Sequence, residues 1–529
     1  TTVINRLDTL YLSPERKRAL EGLILVACDA GNTLWAHPSE RPRPKQLHIP
    51  GQFREDNLWR QLENGFRLWT RTASEVPCAA WPQKIPESGG ICIYEGRLKG
   101  LAHELKKEIP IAAVVGSVPR PNQAFWTLSA LWAGWLWGHE AVEPFKIALR
   151  RRRYDWSWNA TALHAAFSHL FDLLPLNTPF FGLLPEAEPS FLTSTLTAAS
   201  SAGFDLQSLA LRTEHDPIQL LWRRGEHLKR EVEEPDQEDV RSAIYEHLVE
   251  RGEPASYLHV HAAGLVALIE SHSLSKRDQE FDETLRLVQA LIQSTLEADS
   301  RLVHYSTGES VDTGTWGSNH TAGYRDSLAD RVEVAVVTFL QRHPTSIYLE
   351  VEDDLYPRFP GLLTPSKGMI YAVLSSYATR EEGAWMLRPE DTASLRRTEL
   401  NKVRSMLGAL GSRLGFSTAR HERTELWQEE EQTVYAFHIL ASALLGRTLA
   451  EASYPAGKSI LVLPGGRASL ATYKAQRDPS LAARLKEVRV MKYRLLRTLL
   501  EVPVLTRESF GKQIASDPLE KSKLQMILF

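Results

Sequence analysis

The sequence predicts a mixed α/β chain: a strand-and-helix domain first, two helical modules next, and a second α/β domain last. Three observations predict it. Short apolar runs at 90–94, 111–115, 179–185, 204–211 and 218–223 alternate with helix-length amphipathic stretches, the pattern of a sheet with helical crossovers. Between 231 and 415, helix-turn-helix patterns followed by an extended piece take over. After 416, the run Lys458-Ser459-Ile460-Leu461-Val462-Leu463 reads as a buried strand ending in the tight turn Pro464-Gly465-Gly466-Arg467. The expected domains are 1–230, 231–304, 305–415 and 416–529.

Composition bounds the class. A chain of 529 residues, 43% apolar and 24% charged, has ample material for several globular cores. No apolar run approaches the roughly 20 residues of a membrane helix, so no membrane partner is expected. The first residues lack the basic-then-apolar order of a secretory signal. Cys28, Cys78 and Cys92 are too few and too scattered for a disulfide framework or a zinc site. A reducing, cytoplasmic setting is the expectation. The net charge of -3 means that nucleic-acid binding would come from local patches.

In chain order, Ser13-Pro14 starts a helix over 14–30 with Leu20, Leu23, Ile24 and Ala27 on one face, and Gly31-Asn32 ends it. Residues 36–56 read as a Pro-rich loop. A second helix over 57–73 carries Leu58, Leu62, Phe66 and Trp69 at helical spacing. After the strand at 111–115 comes Ser117-Val118-Pro119-Arg120-Pro121-Asn122-Gln123, then a Trp-rich helix over 125–137 whose Trp126, Trp132, Trp135 and Trp137 read as core. Arg150, Arg151, Arg152 and Arg153 lead into Tyr154, Trp156 and Trp158, whose period-2 placement puts the three aromatics on one strand face. A helix of about 18 residues, a strand at 179–185, a helix over 189–202 closed by Gly203, and a strand pair complete the domain. The charged stretch 230–239 reads as a linker.

The first helical module has a helix to Arg251, a Gly252-Glu253-Pro254 turn and a helix over 257–271. The Gly/Ser/Thr-rich stretch 305–326 reads as a long loop. The second module has helices over 327–339, 367–378 and 392–410. His259 and His261 at i and i+2 do not share a helix face, so no metal site is expected. The last domain opens with an acidic run, 422–431, and a helix.

Assembled, these segments resemble the C-terminal portion of large multidomain bacterial DNA amino-methyltransferases associated with modification and anti-phage defence. The resemblance rests on Arg43-Pro44-Lys45-Gln46-Leu47 with Trp59, on Ser117 to Arg120, on Arg153-Tyr154-Asp155-Trp156-Ser157-Trp158 and on Ala202-Gly203-Phe204. Arg251-Gly252-Glu253-Pro254 and Trp385-Met386-Leu387-Arg388-Pro389-Glu390-Asp391 extend it. It implies an α/β methyltransferase-like (Rossmann-type) sheet with winged-helix-like modules behind it. It also implies that Ser117 and Pro119 occupy the place where such enzymes hold the amine of an extruded base.

This chain departs from the family there. The tetrapeptide that is Asp/Asn/Ser-Pro-Pro-aromatic in the family reads Ser-Val-Pro-Arg, so Arg120 replaces the stacking ring. The family's glycine-rich turn for S-adenosylmethionine has no counterpart, so no cofactor is expected from this chain alone. The expectation is a catalytically degenerate subunit that binds DNA, protein partners of a larger complex, or both. Two alternatives stand beside it: an active amino-methyltransferase whose S-adenosylmethionine site a partner chain completes, and a purely structural subunit.

The expected DNA contacts fall in three places. Arg120, Asn122 and Gln123 sit at the motif, where the two amides also suit a helix cap. Arg150 to Arg153 form a basic run that is equally a solvated face. Lys474, Arg477, Arg489, Lys492, Arg494 and Arg497 belong to 474–497, where eight basic residues face two acidic ones, a net +6. A nuclease reading of that last domain lacks the acidic set that would hold magnesium.

Overall fold

The computed structural model describes residues 2–34, 47, 49–70, 76–82, 89–94, 96–105, 111–120, 123–149, 155–226, 236–274, 280–306, 308, 310–319, 326–421, 424–450, 454–515 and 519. Arg43 to Gln46, Asn122, Arg150 to Arg153 and Tyr154 lie outside them. The content is mixed α/β, with several small sheets. The chain divides into two units: 1–207, 215–232 and 274–286 form the first, the rest the second.

In the first unit, α1 (Pro14–Ala30) starts where Ser13 Oγ accepts from the Arg16 N–H at 3.4 Å, with Pro14 in the first turn. It packs on α2 (Leu58–Thr70), whose Trp69 ring lies against Gly22. The strand expected at 111–115 is Val114–Ser117 (β1), because its parallel partner β2 (Pro179–Leu184) sets the register from Val114↔Phe180 to Ser117↔Leu183. Between them run α3 (Gln123–Trp137) and α4 (Trp156–Leu173). After β2 come α5 (Pro189–Ser201), β3 (Phe204–Ala210, which ends in the second unit) and β4 (Ile218–Arg224), and the sheet order is β1-β2-β4-β3. β4 runs antiparallel to β2. Phe167, Phe171, Phe180, Phe204 and Trp222 form the core against this sheet, with ring centroids 5.0–6.1 Å apart. Gly182 is required there: a Cβ would come within 2.3 Å of the Trp222 ring.

Two expectations fail in this unit. Trp156 and Trp158 are not on a strand face. Asp155 caps α4, accepting from the Trp158 N–H at 2.8 Å, so the local capping signal wins over the period-2 pattern. Nor are all the α3 tryptophans core, since Trp135 and Trp137 are more than half exposed.

The second unit begins with α6 (Gln237–Arg251), closed by Gly252 in the left-handed region (φ 67°) as the Gly-Glu-Pro turn predicts. Then come β5 (Ala255–Ser256), α7 (Tyr257–Glu270), α8 (Phe281–Ala298, which starts in the first unit), β6 (Leu302–Tyr305) and β7 (Thr315–Ser318). The stretch expected as a loop thus contains β7. Trp316 is buried and stacks on His304 at 4.2 Å, and packing supplies what the Gly/Ser/Thr composition withholds. The β6–β7 pairing also crosses the expected 304/305 boundary.

The next elements repeat the plan. They are α9 (Leu328–Arg342), β8 (Thr345–Ile347), α10 (Tyr348–Leu355), α11 (Lys367–Tyr377), β9 (Ala378–Glu381) and β10 (Ala384–Leu387). Both sets run helix, short strand, helix, helix, two strands. Both sheets put the last strand in the middle, β5-β7-β6 and β8-β10-β9, with antiparallel pairs.

After α12 (Ala393–Arg413), the last sheet is β11 (Ser417–His421), β12 (Thr424–Glu429), β13 (Gln432–Ile439), β14 (Ser459–Leu463) and β15 (Arg489–Lys492), paired in that order. The described part of the acidic run is thus strand over 424–429, and strand β13 follows it where a helix was expected. Leu426 and Trp427 are buried while Glu430 and Glu431 make the turn at positive φ. β13, β14 and β15 are parallel. α13 (Leu445–Ala450), α14 (Ala468–Arg477) and α15 (Pro479–Glu487) lie in the crossovers, and α16 (Tyr493–Glu501) and α17 (Arg507–Ala515) follow β15.

Candidate functional site

The motif residues stand at the carboxyl end of β1, the usual place for a ligand in a parallel sheet. Ser117 is the exposed last residue of the strand. Val118 is buried, and its N–H donates to the Leu183 carbonyl at 2.9 Å, extending the β1–β2 pairing by one bond. A cavity of about 480 Å³ opens here, with Ser117, Pro119, Trp126, Trp158 and Phe180 among its walls. Its lining is almost wholly apolar and aromatic. Asn159 also lines it but is already engaged, its Oδ1 accepting from Ser194 Oγ at 3.0 Å.

Arg120 borders the same cavity and is fully committed. Its side chain is 5% exposed. It pairs with Glu186 and with Glu188, the latter at 2.5 Å. Its guanidinium lies 5.2 Å from the Trp156 ring centre and 6.0 Å from that of Phe191, which stack on each other. Burial draws the guanidinium below its usual range, against the pull of Glu188. At position 120 the chain has a cation closed in by two carboxylates and two rings. Gln123 begins α3, and Asn122 lies outside the described residues.

β1 is the end strand of its sheet, and among the described residues no glycine-rich turn follows a parallel strand on its far side.

The basic segment of the last domain splits between surface and interior. Arg477, Arg494 and Arg497 are exposed, and Arg489 is half-buried. Arg477 stacks on Tyr473 at 3.8 Å, and Arg497 pairs with Glu399 at 2.9 Å. Lys474 and Lys492 are 2% and 4% exposed, so neither can present its ammonium to a phosphate as placed. Of the DNA contacts expected within 474–497, Lys474 and Lys492 are thus buried: a count of charges along a segment does not say which of them face solvent.

Lys474 instead sits at the centre of a buried cluster. Its Nζ donates to Asp330 Oδ1 and Glu333 Oε2, each at 2.5 Å, and to the Ala443 carbonyl at 3.0 Å. Glu333 Oε1 accepts from the Tyr377 hydroxyl and, at 2.8 Å, from the Ala443 N–H. Burial would lower the ammonium's pKa, but Glu333 and Asp330 hold it above its usual range. Arg467, also fully buried, pairs with Asp391, donates to Ser376 and lies 3.4 Å from the Tyr377 ring centre. Sequence reading missed Asp330 and Glu333. Their only local signal is the i, i+3 pair of carboxylates on a helix whose other inward positions are apolar.

Compared with known proteins, the chain matches no family model and no curated protein.

Proposed function

We propose that the first unit is the C-terminal portion of a methyltransferase-like, Rossmann-type frame that has lost transfer chemistry, and that the chain serves to bind DNA and protein partners in a bacterial modification or defence assembly. The observation that carries this reading is Arg120. On this reading it stands where the base would stack; Glu186 and Glu188 pair with it, and the Trp156 and Phe191 rings lie beside it. Opening the position to a base would strand two carboxylates without their cation.

The frame is supported by the parallel β1–β2 pair and by the helix, Gly203-Phe204 and strand pair that follow it. The repeated helix, strand, helix, helix, strand-pair plan supports two winged-helix-like modules later in the chain. DNA contact is assigned to the exposed Arg477, Arg494 and Arg497 with Arg489. Arg494 and Arg497, three apart on α16, share one face.

A second reading keeps the cavity as a base pocket, with a partner chain completing the cofactor site. Its aromatic walls and the exposed Ser117 favour this reading.

The test of DNA binding is its salt dependence. With a mixed-sequence duplex, each of Arg494→Ala and Arg497→Ala is expected to reduce the slope of log K against log salt by about one. Ser117→Ala is expected to leave it unchanged. No binding at low salt would remove DNA from the proposal and leave a structural subunit.

A further inference from the structure

The long helix α12 carries an outer face that no sequence motif marks. Ser394, Arg397, Thr398, Asn401, Lys402 and Ser405 are all exposed and recur three and four apart, so they form one stripe along the helix. At 1.5 Å per residue the stripe is about 17 Å long. It holds no carboxylate. The opposite face, with Val403, Leu407 and Leu410, is buried in the core of the last domain. The helix is thus fixed from behind and open in front.

The cations of α12 divide by side. Arg396 pairs with Asp391 and Glu399, and Arg404 lies 3.9 Å from Glu425. Arg413 donates to the Leu499, Leu500 and Val502 carbonyls at 2.9–3.2 Å. These three serve the fold. Arg397 and Lys402 form no ion pair among the described residues. Five basic residues against the single Glu399 give α12 a net +4, on a chain of net charge -3. At 3.6 residues per turn, Arg397 and Lys402 stand roughly 140° apart around the axis. They therefore mark the two edges of the stripe, with Asn401 and the three hydroxyls between them.

That arrangement matches a duplex groove. The major groove is about 12 Å wide and admits one α-helix, and a phosphate backbone runs along each of its walls. A cation at each edge of the stripe would meet one wall. The short side chains between them keep the helix slim: Thr398 Oγ1 donates to the Ser394 carbonyl and Ser405 Oγ to the Asn401 carbonyl, each at 3.1 Å. α16 extends the surface on the Lys402 side. Arg497 reaches Glu399 at 2.9 Å, and the Arg413 bonds hold the end of α16 against α12. The acids on the two helices are Glu399, shared by Arg396 and Arg497, and the exposed Glu501. The Arg497–Glu399 pair is open to water, at 48% and 24% side-chain exposure, so it is weak and a phosphate can replace the carboxylate.

Resting on the DNA-binding reading above, we propose that α12 is the helix that enters the major groove of duplex DNA, with Arg397 and Lys402 on opposite backbones and Asn401 toward the base edges. The test is fluorescence anisotropy of the full chain with a labelled mixed-sequence duplex over a salt series. R397A and K402A are each expected to reduce the slope of log K against log salt by about one. Methyl green, a major-groove ligand, is expected to displace the protein, and netropsin, a minor-groove ligand, to leave it bound. Both substituted side chains are exposed and outside the core, so the variants keep the fold. Parental slopes in R397A and K402A, beside reduced slopes in R494A and R497A, would overturn this proposal and leave the DNA-binding reading standing. Displacement by netropsin and not by methyl green would overturn it in the same way. No binding at low salt would remove both.

Discussion

Two cavities stand at the carboxyl ends of parallel strands in this chain, and they differ in what they leave open. The one after β1 is apolar, and the cation at its edge is closed in by Glu186, Glu188, Trp156 and Phe191. The one after β13 is polar, and among the described residues Asp330 and His438 in its wall each keep one buried atom without a partner. The first was marked in the sequence by a motif. The second was marked by nothing contiguous. A strand-end position is a place for chemistry, but the charges left unsatisfied there decide whether chemistry remains.

The strongest way to break this comparison is to remove the cation beneath the polar cavity. Lys474→Met leaves Asp330 and Glu333 buried without their ammonium, and a loss of ~3–5 kcal/mol in urea unfolding is expected. A loss below ~1 kcal/mol would mean that the cluster is solvated and the cavity floor is not fixed.

The matching change at the apolar cavity should cost less. In Arg120→Met, Glu186 and Glu188 keep some access to water, at 17% and 28% side-chain exposure. A loss of about 2 kcal/mol is expected by the same measurement. A stabilised variant would show that the two carboxylates do not need the guanidinium, and the closed-site reading would fail with it.

The smallest and most graded effect is in pH. In the second unit, burial holds the His247 imidazole at about 3 and that of His261 at about 4. Both are neutral in the fold and take up a proton on unfolding below about 6.5. The unfolded state therefore binds more protons in this window, and stability falls as pH drops from 6.5 toward 4, by up to ~1.4 kcal/mol per pH unit for each histidine. Urea midpoints at pH 7 and pH 5 should show the fall, and His261→Gln should flatten it. An unchanged slope in that variant would place His261 in contact with water.

Local signals were legible in the sequence where the backbone itself demands them. Ser13-Pro14 starts α1, Gly203 closes α5 and Gly252 takes the left-handed cap of α6, each within a residue of expectation. What tertiary packing decides was not legible. β7 is a strand because Trp316 is buried against the fold, and residues 424–429 of the acidic run are strand because Leu426 and Trp427 are buried. The same holds for the site. Arg120 looked like a lost aromatic, and its carboxylate partners lie about 68 positions away. Lys474 looked like one more cation in a basic segment, and the residue that buries it is 144 positions away. Asp155 was the one local clue that was overlooked: it caps α4 and removes Trp156 and Trp158 from a strand.

The central claim is that the motif site after β1 is a frame without its cofactor chemistry. Calorimetric titration of the full chain with S-adenosylmethionine, with and without a mixed-sequence duplex, tests it most directly. No saturable heat under either condition is the expected result. Saturable binding that Ser117→Ala or Arg120→Met alters would contradict the claim, and the cavity beside Ser117 would then be a working pocket.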